Sequence, residues 1–170
     1  TRELATQVAD EIRKIARYQQ NIKILTLCGG QSIGPQIGSL EHGAHIVVGT
    51  PGRIADHIAK GTLDLNSINT VVLDEADRML DMGFVDSITE IISHTPYDRQ
   101  MLLFSATYQE GIQALSKKFQ HEPETITIKD EQSKSTIIQR FYDVPKMKDK
   151  DKALLTLLGS KASESTVIFC

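Results

Sequence analysis

Hydrophobic residues along the chain alternate between two spacings, one typical of helices and one typical of buried strands. Short apolar, β-branched runs predict strands over 22–28, 45–49, 70–73, 101–104 and 125–128. Between them, apolar residues three or four positions apart predict helices over 1–20, 33–40, 53–60, 76–80, 85–93 and 112–119. Strands that alternate with helices in this way indicate an α/β fold with a parallel sheet covered by helices on both faces.

The pattern changes after residue 128. Residues 129–136 are mostly charged and polar, which predicts a linker. The remainder predicts a strand over 137–144, a helix over 152–158 and another strand over 166–169. We therefore expect a first domain over 1–128, a linker over 129–136 and the start of a second α/β domain over 137–170.

Composition excludes several classes of protein. Hydrophobic residues make up 40% and charged residues 24% of the chain, which is normal for a globular protein. No window holds 18 consecutive apolar residues, so no membrane span is predicted. The two cysteines lie far apart, which argues against a disulfide framework and favours a reducing, cytoplasmic setting.

The charge distribution limits how the chain can bind a polyanion. The net charge of −3 and the pI near 5.9 exclude a uniformly basic nucleic-acid binder. Residues 1–128 carry 11 basic and 16 acidic residues, whereas residues 129–170 carry 8 and 6. A polyanion would therefore be bound by a few placed groups rather than by the overall field.

Polar and glycine-rich turns follow the predicted strands directly. They are Gly29-Gly30, Thr50-Pro51-Gly52-Arg53, Asp74-Glu75-Ala76-Asp77 and Ser105-Ala106-Thr107. Because ligands bind beyond the carboxyl ends of parallel strands, these turns are the candidate binding residues. Small residues let a phosphate chain approach backbone amides, and the guanidinium of Arg53 suits phosphate. Asp74 at the tip of a buried strand suits a metal ion, and Glu75 suits the orientation or deprotonation of a water.

These turns, with the segment Thr1-Arg2-Glu3-Leu4-Ala5-Thr6-Gln7, resemble in order and spacing the signature motifs of the DEAD-box family of ATP-dependent RNA helicases. Residues 167–169 resemble the first strand motif of that family's second RecA-like domain. The resemblance implies a RecA-like fold, ATP and Mg²⁺ as cofactors, and RNA as the partner, with no membrane and no obligate protein partner. Within the family, residues 23–31 and 69–84 look most like the bacterial DbpA branch, which implies structured ribosomal RNA and ribosome biogenesis.

The resemblance also implies a role for each matching residue. Asp74 would hold Mg²⁺, through water, against the phosphates of ATP, and Glu75 would position the attacking water. Asp77 would reach Ser105 and Thr107, and the Ser105-Ala106-Thr107 turn would thereby couple the nucleotide pocket to the RNA side. The residues expected along the RNA backbone are Arg2, Gly29, Gly30, Thr50, Pro51, Gly52 and Arg53.

Simpler structural interpretations of the same residues stay open at this point. Carboxylates are favourable in the first turn of any helix, and Ser105 and Thr107 can merely satisfy backbone groups at a strand end. Arg2 and Arg53 can be ordinary surface charges. At the level of function, the alternatives are a DNA helicase of the same superfamily and a catalytically idle binding module.

Two further features limit the prediction. The phosphate-binding pattern G-x-x-x-x-G-K-[ST] does not occur in the chain, and the family carries it upstream of the position matching Thr1. We therefore expect that the 170-residue chain alone neither hydrolyses ATP nor unwinds RNA. His42 and His45 lack the further ligands that a structural zinc site needs, and Cys28 is expected to be a small buried hydrophobic residue.

Overall fold

The computed structural model describes residues 1–128, 138, 140–160 and 165–169. The chain divides into two compact units, Thr1–Glu124 and Thr125–Cys170, and each is described by itself. The predicted linker over 129–136 lies outside the described residues.

The first unit alternates helices and strands in the predicted order. Its helices are α1 (Arg2–Ala16), α2 (Gly34–Leu40), α3 (Pro51–Ala59), α4 (Ala76–Asp81), α5 (Val85–Ser93) and α6 (Glu110–Phe119). Its strands are β1 (Ile24–Leu27), β2 (Ile46–Gly49), β3 (Thr70–Leu73) and β4 (Gln100–Leu103). Every element predicted within residues 1–119 is thus present, with ends displaced by a few residues.

The strands form two parallel pairs. Strand β1 pairs with β2, with Ile24 opposite Ile46, and β3 pairs with β4, with Thr70 opposite Gln100. A helical crossover joins the strands of each pair, as parallel pairing requires. Among the described residues no ladder joins the two pairs into one sheet.

The main hydrophobic core lies under the β3/β4 pair. Its buried centre is Ile88, Ile92 and Leu115 from α5 and α6, and the partly buried residues packed against it are Leu73, Met79, Leu80, Phe84, Met101, Leu103 and Phe119. Alternate strand residues point the other way, because successive side chains of a strand face opposite sides. On that side Val72 is 52% exposed, and Leu102 is 36% exposed. The core therefore supports β3, β4 and the start of α4 from one face.

The β1/β2 pair and α3 approach each other closely at Gly49. A Cβ at this position would lie 2.5 Å from the Leu27 carbonyl oxygen and 2.7 Å from Cδ1 of Ile54. Any side chain would force the strand or the helix to move, so glycine is required here. This contact fixes where α3 begins relative to the end of β1.

The described residues of the second unit contain fewer regular elements than the sequence predicts. A short 3₁₀ turn (Met147–Asp149) leads into α7 (Lys150–Ser160), which confirms the predicted helix over 152–158. The predictions of a strand over 125–128 and over 166–169 are wrong, and the described part of 137–144 contains no strand either. The apolar side chains of these segments are mostly exposed, as for Ile126 (82%) and Phe141 (91%). A β-rich run becomes a strand only when another strand supplies ladder partners, and the described residues supply none.

Among the described residues, no helix combines the length and the apolar character needed to cross a membrane.

Candidate functional site

The acidic turn forms the link between β3 and α4. Strand β3 ends at Leu73, and α4 begins at Ala76, whose amide donates to the Phe104 carbonyl at 3.0 Å. Glu75 takes the left-handed conformation, with φ 50° and ψ 48°, which is uncommon for a residue other than glycine. Such outliers persist only where the surrounding structure fixes them, and they are concentrated at functional sites.

The two carboxylates at this turn have different surroundings. Asp74 is exposed, and its Oδ1 accepts a hydrogen bond from the Glu75 amide at 2.9 Å. Glu75 is half-buried, and its Oε2 forms an ion pair with Nη1 of Arg78 at 2.7 Å. Sequence reasoning missed Arg78, although its position three residues after Glu75 on a helix is a recognisable signal. Asp74 is therefore the carboxylate more open to an incoming cation.

Asp77 connects the acidic turn to the turn that follows β4. Its Oδ2 accepts hydrogen bonds from both the amide and the hydroxyl of Thr107, each at 3.0 Å. Ser105 Oγ donates to the Thr107 carbonyl at 2.7 Å. Ala106 lies exposed between them. The structure thus brings Asp77 and Thr107 into direct contact, and Ser105 braces the turn that carries Thr107.

The hydrogen bonds to Asp77 change its pKa. Desolvation raises the pKa of the Asp77 carboxyl, but donation from the Thr107 hydroxyl and from the Arg78 and Thr107 amides outweighs it. The net pKa therefore lies below the usual 3.8. Since the folded pKa is depressed, the associated stability is present above 3.8 and is lost as the pH falls through the folded value.

We expect Thr107→Val to raise the pKa of Asp77, because the variant removes the hydroxyl donor but keeps the amide. The measurement is an NMR titration of the Asp77 carboxyl carbon in the wild type and the variant. Thr107→Ser is the matched control, because it keeps the hydroxyl donor and should leave the pKa of Asp77 unchanged. An Asp77 pKa that Thr107→Val leaves unchanged would contradict the contact.

Arg2 and Gly30 meet beyond the end of β1. Gly30 has a φ of +76°, which side-chain-bearing residues rarely adopt, and a Cβ there would collide with the guanidinium of Arg2. Arg2 begins α1, which Thr1 caps by accepting from the Leu4 amide at 3.3 Å. The bare backbone of Gly30 therefore lets a cationic side chain lie against the turn after β1.

Arg53 is held in the same region and is largely buried. Its Nη2 donates to the Gln31 carbonyl at 2.9 Å, and its Nε lies 3.5 Å from Oδ2 of Asp56. Only 10% of the side chain is exposed, so the interpretation of Arg53 as an ordinary surface charge is wrong. Its buried Nη1 has no hydrogen-bond partner among the described residues. A buried guanidinium with a free donor is suited to an anion that approaches the turn.

The remaining candidates form the first turn of α3. Thr50 caps this helix in an extended conformation, and its carbonyl accepts from the amides of Arg53 and Ile54 at 3.1 Å each. Pro51 occupies the first helical position, where its missing N–H costs no hydrogen bond. A Cβ at Gly52 would meet nothing within 4 Å, and the same holds for Gly29. These residues thus leave open backbone next to Arg53.

The structure sorts the predicted site residues into two groups. Thr50–Arg53, Gly29-Gly30 and Arg2 lie around the end of the β1/β2 pair, whereas the acidic turn and Thr107 lie at the end of the β3/β4 pair. Among the described residues, no hydrogen bond or ion pair joins the two groups.

Two of the residues not expected to bind a metal, His45 and Cys28, have structural contacts instead. His45 Nδ1 accepts from the Lys23 amide at 3.0 Å. Cys28 is buried, and burial raises the pKa of its thiol. No cluster of three or more His, Cys, Asp or Glu side chains suited to a metal occurs in the part of the chain that the structure describes. A cation near Asp74 would therefore need ligands from elsewhere, such as nucleotide phosphates and water.

The turns at the strand ends and the two parallel strand pairs are features of a known class of protein. A model of the DEAD/DEAH box helicase family matches residues 1–115, and the chain belongs to this family. The chain is 51% identical over 170 residues to the ATP-dependent RNA helicase DbpA of Escherichia coli (strain K12), an alignment that covers 100% of this chain and 37% of that protein. It is 45% identical over 169 residues to the DEAD-box ATP-dependent RNA helicase CshA of Geobacillus kaustophilus (strain HTA426). That alignment covers 99% of this chain and 36% of that protein.

Solved structures give the same result. A DEAD box protein from the hyperthermophile Methanococcus jannaschii matches with a TM-score of 0.67 and 50% identity, covering 70% of this chain and 32% of that one. A hypothetical ATP-dependent RNA helicase from Sulfolobus tokodaii matches with the same TM-score and 44% identity. That match covers 73% of this chain and 37% of the other. These similarities confirm the predicted family and the RecA-like α/β class. The chain spans little more than a third of the two curated relatives.

Proposed function

We propose that the complete protein is an ATP-dependent RNA helicase that couples ATP binding and hydrolysis to local unwinding or remodelling of RNA duplexes. The observation that carries the proposal is the pair of hydrogen bonds from Thr107 to Asp77. They join an acidic turn suited to nucleotide and metal to the turn of the neighbouring strand. In this proposal, the contact passes a change at the nucleotide side to the neighbouring strand end, as a coupled motor requires.

On the nucleotide side, each carboxylate has its own role in this proposal. Exposed Asp74 binds Mg²⁺ through water, since carboxylate oxygen and water suit this ion. Mg²⁺, when bound, neutralises charge on the ATP phosphates. Glu75 orients the attacking water and takes up its proton, and its strained backbone and the Arg78 ion pair set its position.

On the RNA side, we propose that open backbone and two arginine side chains contact the nucleic acid. Open backbone at Gly29-Gly30 and the first turn of α3 can approach a phosphate closely. Arg2 and Arg53 supply positive charge in a chain whose net charge is negative. Contacts of this kind position the nucleic acid without reading its bases.

The finer parts of the proposal rest on resemblance. We propose structured ribosomal RNA as the substrate class, because the chain is 51% identical to DbpA of Escherichia coli and residues 23–31 and 69–84 resemble the bacterial DbpA branch. We propose a cytoplasmic location, because the described cysteine, Cys28, is free and buried rather than paired. No obligate protein partner is proposed.

The deciding experiment compares ATP hydrolysis by the full-length protein in the presence of RNA and of DNA of the same sequence. We expect RNA to stimulate phosphate release and DNA to leave it at the basal level. Equal or stronger stimulation by DNA would identify a DNA helicase of the same superfamily. Absence of hydrolysis with either would identify a binding module.

A second prediction concerns Gly30→Ala in the full-length protein. The added Cβ is strained at a φ of +76° and displaces Arg2, so we expect RNA affinity to fall about tenfold, measured by fluorescence anisotropy. Gly38→Ala is the matched control, because a Cβ at this position of α2 meets nothing within 4 Å. RNA affinities that agree between the two variants would remove Gly30 and Arg2 from the RNA path.

A further inference from the structure

Two polar side chains lie buried between α2, α3 and the end of β1. Gln36 of α2 is 9% exposed, and His57 of α3 is fully buried. A buried polar group without a partner destabilises the fold, so such groups persist where their hydrogen bonds are made. Neither residue belongs to the site described above, and neither was predicted from the sequence, because nothing in the residue pattern distinguishes them from other polar helix residues.

The hydrogen bonds of these side chains form a continuous chain. Gln36 Nε2 donates to the Cys28 carbonyl at 3.0 Å, and Gln36 Oε1 lies 3.1 Å from Nε2 of His57. At the other side of the ring, Nδ1 of His57 lies 2.8 Å from the hydroxyl oxygen of Thr62. A helix side chain is thus linked through one carboxamide to the strand end that precedes Gly29.

The proton positions in this chain follow from the chemistry of the carboxamide. Its oxygen only accepts, so His57 carries a hydrogen on Nε2. The single hydroxyl hydrogen of Thr62 is then shared between Nδ1 of His57, at 2.8 Å, and the His57 carbonyl, at 3.1 Å. Burial, together with the nearby Arg53, lowers the pKa of His57 below its usual 6.5, which favours the neutral ring. The two polar atoms of the Gln36 carboxamide therefore have different partners: Nε2 donates to the residue after β1, and Oε1 accepts from His57 of α3.

A second link joins the same two segments. Arg53 Nη2 donates to the Gln31 carbonyl at 2.9 Å, and Arg53 precedes His57 by four residues on α3. Residues four apart lie on the same face of a helix. One face of α3 is therefore attached to residues 28–31 at two points, directly by Arg53 and through Gln36 by His57.

We infer that Gln36 and His57 are positioning residues of the RNA path, which hold the Gly29-Gly30 turn and the first turn of α3 at a fixed separation. The inference rests on the proposed function. A phosphate backbone that contacts both turns gains most when their separation is set before binding, because no ordering cost is then paid on association. Loss of the link should weaken RNA binding without removing any group that contacts RNA.

The test compares Gln36→Met with Gln120→Met in the full-length protein. Gln120 is the control, because its Nε2 also donates to a strand carbonyl, that of Met101 within β4, at 3.0 Å, at a half-buried position away from the proposed RNA path. Both variants lose one hydrogen bond to a strand carbonyl, and Gln36→Met also loses the contact with His57, so it should lose more thermal stability than Gln120→Met. We expect Gln36→Met to raise the Kd for RNA roughly 3- to 10-fold, and Gln120→Met to leave it within twofold of the wild type.

Two variants of His57 provide the second arm. His57→Gln keeps an amide donor for Gln36 and should retain RNA affinity, whereas His57→Leu should show the same defect as Gln36→Met. If Gln36→Met does not fold, the comparison of His57→Gln with His57→Leu tests the positioning role by itself. RNA affinity that follows thermal stability alone across all four variants would overturn the positioning role. Wild-type protein that fails to bind RNA would instead overturn the proposed function and, with it, this inference.

Discussion

Glu75→Gln in the full-length protein is expected to reduce RNA-stimulated ATP hydrolysis by at least about 100-fold, because the amide cannot accept the proton of the attacking water. ATP and RNA binding should remain, since the substitution preserves the shape of the side chain and leaves Asp74 in place. The variant should therefore accumulate as a complex with both ligands. The measurements are phosphate release under saturating RNA and the lifetime of the RNA complex in ATP.

The matched control for this experiment is Asp81→Asn. It removes the same charge from an exposed carboxylate at the end of the same short helix, α4. Hydrolysis by the Asp81→Asn variant should stay within twofold of the wild type. If the Glu75→Gln variant turns over ATP at the wild-type rate, Glu75 does not act on the water, and the proposed division of labour between the two carboxylates is wrong.

The largest expected loss of stability comes from Ile88→Ala. Ile88 is 1% exposed at the centre of the core that supports α4 through Met79. Truncation removes buried methyl groups and leaves a cavity, which costs about 2–5 kcal/mol in well-packed cores. The readout is the midpoint of thermal unfolding of the full-length protein.

The same truncation at Ile15 provides the control. Ile15 lies on α1 and is 78% exposed, so Ile15→Ala should change the free energy of unfolding by no more than about 0.5 kcal/mol. Equal shifts for the two variants would mean that the Ile88 cluster is not a cooperative core.

The α/β arrangement of the first unit was predictable because its sequence signals agree with one another. Buried-type strand runs, helical periodicity and turn residues all indicate crossover units over 1–119, and the acidic turn falls where β3 ends. The strands predicted after residue 124 failed for a physical reason. β-propensity expresses how a side chain fits a paired, half-buried surface, and the apolar residues of these segments, such as Ile128 at 88% exposure, have no such surface.

The candidate site was only partly predictable. Motif order located Asp77 and Thr107, and their contact follows from two adjacent parallel strands. The burial of Arg53 was not visible, because it depends on a carbonyl 22 positions earlier in the chain. Gln36 and His57 escaped detection for the same reason, since only the folded arrangement brings α2, α3 and the end of β1 together.

The parallel pairs also bear on how the chain folds during synthesis. Each pair closes within a short segment of the chain, β1/β2 across one helix and β3/β4 across two, with Ile24 opposite Ile46 and Thr70 opposite Gln100. The entropy cost of closing a loop rises slowly with its length, and contacts close in sequence form quickly. The β1/β2 segment can therefore reach its native pairing while β3 and β4 are still being translated, so a mutation that slows one segment need not delay the other.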